Sequence, residues 1–82
     1  MQHKAIVYSI EGCAFCIKAK DLLESNNIKY EEYNCDDINN YLELVDLLGG
    51  KSKFTFPQIF LNKQHVGGYS ELSEQLNEIN DH

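Results

Sequence analysis

A short apolar run that passes at once into a helical pattern is the feature that most constrains this fold. Residues 5–8 are continuous, apolar and rich in strand formers, which is typical of a strand covered on both faces. Gly12 breaks the run, and from Ala14 to about Asn26 the apolar residues recur at helical spacing. A strand followed directly by a helix predicts a β-α-β unit whose second strand runs parallel to the first.

Two further patterns follow this helix. Residues 28–34 alternate apolar and charged side chains, as a half-buried strand does. The carboxylates of Asp36 and Asp37 favour the start of a second helix, and Gly49-Gly50 favours its end. The apolar stripe predicted for this helix consists of Ile38, Tyr41, Leu42, Leu44, Val45 and Leu48.

The last third of the chain predicts a hairpin and a helix. Two short β runs, residues 58–61 and 63–66, flank a tight turn at Asn62-Lys63. Ser70 is expected to cap a final helix, which carries Glu71 and Glu74 in its first turn. The stripe of that helix is Leu72, Leu76 and Ile79. The element order β-α-β-α-β-β-α predicts an α/β domain with one mixed sheet and helices on both faces.

Length and charge limit the classes of function. With 82 residues, we expect a single domain, residues 1–82. The net charge of −6 argues against nucleic acid or an anionic membrane as a partner. All seven basic residues are lysines, so an anion must be held by lysine or by backbone N–H groups. The N-terminal sequence predicts neither a signal peptide nor a membrane span, and we therefore expect a cytoplasmic protein.

Cys13 and Cys16 form a C-x-x-C pair, for which three uses compete. A structural zinc site needs four ligands, and a passive disulfide or two inert thiols would need no special surroundings. Redox catalysis is favoured because the dipole and the unpaired N–H groups at a helix start lower the pKa of a thiol. The remaining zinc-ligand candidates have no matching spacing: His3, Cys35, His65 and His82.

Helix geometry separates the roles of the two thiols. Residues three apart lie on one side of a helix, so Cys13 and Cys16 are expected to be close. Cys13, at the helix end, would be open to solvent, whereas Cys16 would be covered by its own turn. We therefore predict that Cys13 attacks a disulfide and that Cys16 resolves the mixed disulfide. Cys35 is expected to be a structural, partly buried thiol, and His65 a surface residue on an edge strand.

Three motifs in register with the element order resemble those of the glutaredoxins. They are CAFC at residues 13–16, TFPQIF at residues 55–60 and GGYSEL at residues 67–72, and the resemblance covers nearly all of the chain. It implies a thioredoxin-like fold with strand order 2-1-3-4 and a cis Pro57. It also implies glutathione as co-substrate, with no tightly bound cofactor and no metal ligands among the site residues.

The resemblance also implies where glutathione binds. Phe15 would line the groove, while Thr55 and the backbone of Phe56, next to Pro57, would pair with the cysteinyl unit like an added strand. At the start of the last helix, free N–H groups suit an anion, and Gly68 and Ser70 would receive the γ-glutamyl carboxylate.

Three departures from the family pattern affect this site. Ser70-Glu71 stand where many members have two aspartates, which implies a weaker contact with the amino group of glutathione. Ile10 stands where members often have a basic residue, so Lys53 or Lys51 would have to hold the glycyl carboxylate as a point charge. Ala14 replaces the usual proline, a change associated in the family with holding a [2Fe–2S] cluster through Cys13 of two chains and two glutathiones.

The function implied is reduction of protein–glutathione mixed disulfides and protein disulfides by a monomer, through the Cys13/Cys16 dithiol. The expected partners are glutathione and oxidised or glutathionylated proteins, with ribonucleotide reductase among the family's clients. A [2Fe–2S] carrier and a thioredoxin-like donor recharged by a flavoprotein reductase are the alternatives.

Overall fold

The computed structural model describes residues 3–80, with side chains through Glu78. Its elements follow the predicted order β-α-β-α-β-β-α. The bounds are β1 Lys4–Ser9, α1 Ala14–Ser25, β2 Lys29–Asn34, α2 Ile38–Leu47, β3 Gln58–Leu61, β4 Gln64–Gly67 and α3 Tyr69–Asn80. The side chain of Ile79, expected in the stripe of α3, and the zinc-ligand candidate His82 lie outside the described part of the chain.

The four strands form one mixed sheet in the order β2-β1-β3-β4, which confirms the fold that the resemblance implied. β1 and β2 are parallel and joined by α1, while β3 runs antiparallel to both β1 and β4. β3 lies inside the sheet and all four of its residues are buried, whereas the edge strand β2 has no fully buried residue. The carboxyl end of β1 therefore leads straight from the centre of the sheet into the loop that carries Cys13.

Each face of the sheet has its own apolar cluster. On one face, α1 and α3 pack against β1 and β3 through side chains that include Ala19, Leu23 and Leu72. On the other face, α2 covers Tyr8 and Phe60 mainly through the fully buried Leu44. The prediction of helices on both faces is thus confirmed.

The turn predicted between the two hairpin strands is present. Asn62 and Lys63 both have left-handed backbone conformations, with φ of 52° and 70°. Two consecutive left-handed residues are what a two-residue hairpin turn requires, because this backbone twist matches the twist of the flanking strands. The turn fixes the register of β3 against β4 and so holds the edge of the sheet next to the site described below.

The apolar stripe predicted for α2 is wrong at two positions. Leu44 is buried, and Tyr41 and Leu48 pack partly against the sheet. Ile38 and Leu42, in contrast, have exposed fractions of 61% and 56%. At 3.6 residues per turn these two side chains lie on one flank of the stripe, and the helix does not turn that flank toward the sheet.

Within residues 3–80, no helix combines the length and the apolar character that crossing a membrane requires.

Candidate active site

Cys13 lies at the junction between the sheet and α1. The loop after β1 turns at Gly12, whose φ of 75° is a left-handed conformation that other residues rarely adopt. Cys13 then takes the N-cap position of α1 with an extended backbone, and its Sγ accepts a hydrogen bond of 3.1 Å from the N–H of Cys16. The sulfur thus sits where a capping oxygen normally does, at the positive end of the helix, an arrangement that stabilises a thiolate.

Cys16 lies one turn into α1 and differs sharply from Cys13 in exposure. Cys13 is half-buried, whereas Cys16 has an exposed fraction of 2%. The two Sγ atoms lie at disulfide distance, with 5.2 Å between the Cα atoms. The pair can therefore interconvert between dithiol and disulfide, with one sulfur reachable from outside and the other covered, as the sequence predicted.

The segment before β3 faces the two cysteines. Its Phe56–Pro57 peptide bond is cis, as the resemblance implied. The carbonyl oxygen of Phe56 lies 3.7 Å from Cys13 Sγ. The TFPQIF motif and the CAFC motif, 39 or more residues apart in sequence, thus meet at a single point of the fold.

A cleft of about 360 Å³ lies beside this meeting point. Six residues predicted to bind glutathione line it together: Phe15, Thr55, Phe56, Pro57, Gly68 and Ser70. Two further lining residues, Tyr69 and Glu71, were not among the predicted site residues. Both belong to the GGYSEL motif. Tyr69 lies between the predicted residues Gly68 and Ser70, and Glu71 follows Ser70, so their place in the motif could have identified them.

Two aromatic side chains, Phe15 and Tyr69, form part of the cleft lining. Phe15 has an exposed fraction of 55%, and its ring centre lies 6.0 Å from that of Tyr69. The ammonium of Lys18 sits 5.2 Å from the Phe15 ring centre, within range of a cation–π contact. The exposed Phe15 ring beside the partly buried Tyr69 ring offers an apolar surface to a bound peptide.

The start of α3 also lines the cleft, and its structure corrects the capping prediction. The helix begins at Tyr69, so Ser70 is its second residue and does not cap it. Gly68 precedes the helix and accepts the first helical hydrogen bond, 3.0 Å from the N–H of Leu72. The N–H of Gly68 donates to Glu71 Oε1 at 2.8 Å, so the side chain at the third helical position caps the end from within.

Lys53 lies outside the cleft. It lines a neighbouring pocket of about 400 Å³ together with Lys51, Phe54, Gln58 and His65. The two pockets share the segment around the cis proline without sharing a lining residue, since Thr55 to Pro57 line the cleft and Phe54 and Gln58 line its neighbour. The contact of Lys53 with a glycyl carboxylate stays a prediction.

Cys35 is a buried thiol away from the cleft, as expected. Its exposed fraction is 8%, and it packs with Tyr8, Leu44 and Phe60. Burial, and to a lesser extent the nearby Asp36 carboxylate, raises the pKa of Cys35 to about 11. Because a thiol attacks disulfides only as the thiolate, Cys35 is unreactive near neutral pH.

The raised pKa of Cys35 predicts a loss of stability in alkali. Because folding raises the pKa of Cys35, the folded state holds the thiol proton more tightly than the unfolded state does. The resulting contribution to stability is complete below the ordinary pKa of 9.0 and is lost as pH rises towards 11. In Cys35→Ala, the fall in the free energy of unfolding between pH 8 and pH 10.5 should be smaller than in the wild type by about 2 kcal/mol. Urea unfolding of both proteins, with the Cys13–Cys16 disulfide formed, measures this, and equal falls would contradict the assignment.

Comparison with known proteins gives a consistent result. The family model described as glutaredoxin matches residues 5–66. Glutaredoxin 1 of Rickettsia bellii is 38% identical over 72 residues, which cover 85% of this chain and 74% of the relative. Glutaredoxin 1 of Escherichia coli is 30% identical over 80 residues, covering 92% and 94%. The crystal structure of glutaredoxin 1 from Francisella tularensis has a TM-score of 0.74 and 32% identity, covering 98% and 99% of the two chains.

The family match spans most of the chain, and it includes both the cysteine pair and the cis proline. Members of this family reduce disulfides with glutathione as co-substrate. This chain accordingly belongs to the glutaredoxins, and it is a thiol–disulfide oxidoreductase of the thioredoxin fold.

Proposed function

We propose that Cys13 is the nucleophile and Cys16 the resolving thiol of a dithiol glutaredoxin that forms a single domain over residues 1–82. The observation that carries this proposal is the asymmetry of the pair. Cys13 is half-buried and hydrogen-bonded by a helix N–H, whereas Cys16 is almost fully covered. Only Cys13 is accessible to an external disulfide.

On a protein–glutathione mixed disulfide, the Cys13 thiolate attacks the glutathione sulfur. The sulfur–sulfur bond of the substrate breaks, the protein thiolate leaves and takes up a proton, and Cys13 carries glutathione. A second glutathione, as thiolate, attacks that glutathione sulfur, which releases oxidised glutathione and restores the Cys13 thiolate. Each step exchanges one disulfide for another, so no further oxidant or reductant is needed.

On a protein disulfide, Cys13 attacks one sulfur and expels the other as a thiolate. Cys16 then attacks the Cys13 sulfur of the mixed disulfide, which frees the reduced protein and leaves Cys13 and Cys16 joined. Two glutathione molecules reverse this: the first opens the disulfide at Cys13, and the second removes the glutathione from Cys13 as oxidised glutathione.

The cleft offers matching contacts for glutathione. Thr55 and the Phe56 backbone would pair with its cysteinyl unit as an added strand, beside Pro57, while Phe15 covers the apolar side. The γ-glutamyl carboxylate would bind the N–H groups at Gly68 and Ser70 at the start of α3.

One acidic side chain, Glu71, and one basic side chain, Lys53, affect this binding mode. In the free protein the Gly68 N–H donates to Glu71, so the γ-glutamyl carboxylate would compete with the Glu71 carboxylate for that donor. Lys53 would have to reach across from the neighbouring pocket to meet the glycyl carboxylate, a movement that a long, exposed lysine side chain allows.

Oxidised and glutathionylated proteins are the proposed partners, with ribonucleotide reductase as one client. We propose a monomer in the cytoplasm, because a glutathione-reducing compartment keeps such a dithiol reduced. The alternatives, a [2Fe–2S] carrier bridged by Cys13 of two chains and a donor recharged by a flavoprotein reductase, gain no support from the site geometry.

The test compares two reductants, glutathione and thioredoxin reductase. Purified protein should reduce a glutathionylated peptide at least about tenfold faster with glutathione, regenerated by glutathione reductase and NADPH, than with thioredoxin reductase and NADPH. The reverse order would indicate a thioredoxin-like donor. A brown dimer with visible absorbance after anaerobic purification would indicate a cluster carrier instead.

A further inference from the structure

Gln58 is a buried polar side chain directly after the cis proline. Its exposed fraction is 7%, and both ends of its amide are hydrogen-bonded. Nε2 donates to the carbonyl oxygen of Thr55 at 2.7 Å, and Oε1 lies 2.7 Å from His65 Nε2 on the neighbouring strand β4. A buried amide with both ends engaged holds its partners in fixed positions.

The direction of these hydrogen bonds follows from the Thr55 carbonyl. A carbonyl oxygen only accepts, so the NH₂ group of Gln58 must face Thr55 and its oxygen must face His65. His65 Nε2 therefore carries a proton and donates to Gln58. The chain of donors runs from His65 through Gln58 to the backbone of Thr55.

These hydrogen bonds also orient the N–H of the next peptide, that of Phe56. The Thr55–Phe56 peptide is trans, since the one cis bond within residues 3–80 is Phe56–Pro57. In a trans peptide the C=O and the N–H point in opposite directions. With the Thr55 carbonyl turned to Gln58, the Phe56 N–H must point away from Gln58.

The Phe56 N–H therefore lies on the side of its peptide that Gln58 does not occupy. Gln58 lines the neighbouring pocket, whereas Thr55 and Phe56 line the glutathione cleft. Within the described residues the Phe56 N–H has no hydrogen-bond partner. It is thus an oriented donor available to an extended ligand.

We propose that Gln58, held in turn by His65, is a positioning residue that aims the Phe56 N–H at bound glutathione. Gln58 itself does not touch the substrate. The inference rests on the proposed function, in which the Phe56 backbone pairs with the cysteinyl unit of glutathione.

Kinetics of Gln58→Met provide the first test. Methionine keeps the length and the burial but can hold neither partner, so the Thr55–Phe56 peptide is free to rotate. We expect KM for a glutathionylated peptide to rise about tenfold, with kcat changed less than twofold. His65→Ala, at an exposed position, should raise KM about threefold because Gln58 keeps only one partner. Gln64→Met, on the exposed edge of β4, is the matched control and should leave both constants unchanged.

Hydrogen exchange of the Phe56 amide separates this inference from the proposed function. The proteins compared are Cys16→Ser and Cys16→Ser with Gln58→Met, each carrying glutathione on Cys13. Slow exchange in the first and fast exchange in the second is the expected result. Slow exchange of the Phe56 amide in both proteins would overturn the role of Gln58. So would a rise in KM in the Gln64→Met control as large as that in Gln58→Met. Fast exchange in both would refute the Phe56 contact itself and, with it, this inference.

Discussion

Replacing Cys13 by serine is expected to abolish glutathione-dependent reduction of mixed disulfides, lowering kcat/KM by about 10³-fold or more. Disulfide exchange requires a thiolate, and a serine hydroxyl does not ionise near neutral pH. Cys16 cannot take over because its side chain is only 2% exposed. The measurement is the rate of glutathione release from a glutathionylated peptide, coupled to glutathione reductase.

Cys35→Ser is the matched control for this variant, because it removes a thiol that lies outside the cleft. It should keep activity within about twofold of the wild type once folding is verified by circular dichroism. Residual activity above about one tenth in Cys13→Ser, or an equal loss in Cys35→Ser, would contradict the assignment of Cys13 as the nucleophile.

Cys16→Ser is expected to separate the two activities. Deglutathionylation needs only Cys13 and glutathione, so its rate should stay within about threefold of the wild type. Reduction of a protein disulfide should fall about a hundredfold, because an attack from within the molecule is replaced by one from dissolved glutathione. The measurement is the rate on each substrate class, a glutathionylated peptide and a disulfide-bonded protein, at one glutathione concentration.

The adduct that accumulates gives an independent check on this variant. During turnover of the protein disulfide, Cys16→Ser should trap a mixed disulfide between Cys13 and the substrate, visible by non-reducing electrophoresis and mass spectrometry. If Cys13→Ser and Cys16→Ser lost both activities equally, the division of roles between the two thiols would be wrong.

The elements and turns of this fold were predictable because local chemistry determines them. The Asn62-Lys63 turn needs two left-handed residues, and the breaks at Gly12 and Gly49-Gly50 need residues that tolerate positive φ. Hydrophobic periodicity then separates strands from helices. The strand order and the cis Pro57 came only from the resemblance of motifs, since no periodicity encodes them.

What sequence reasoning missed depends on tertiary placement. Ile38 and Leu42 fit the helical period, yet they are exposed because α2 covers only part of its face of the sheet. Ser70 is a good capping residue, but the capping carboxylate of Glu71 reaches back to Gly68 and the helix begins one residue before Ser70. Neither outcome is visible from residue type alone.

The residues of the candidate site were predictable where they belong to a sequence motif. They were not predictable where only the fold brings them together. The three motifs brought six of the seven predicted glutathione-binding residues into one cleft. Lys53 lines the neighbouring pocket instead, and its position depends on the path of the loop before β3, which no motif encodes. The hydrogen bonds that join Gln58 to Thr55 and to His65 on β4 could be identified only from the structure.

The ionisation of Cys13 tests the central claim most directly. Reduced protein is exposed to a limiting pulse of iodoacetamide at a series of pH values, and mass spectrometry measures the alkylation rate of each cysteine separately. Cys13 should react with a midpoint well below the value of about 8.5 for a free cysteine, whereas Cys35 in the same sample stays unreactive up to alkaline pH because its pKa is raised to about 11. A Cys13 midpoint equal to that of a free cysteine, or no reaction of Cys13 in the folded protein, would contradict the account.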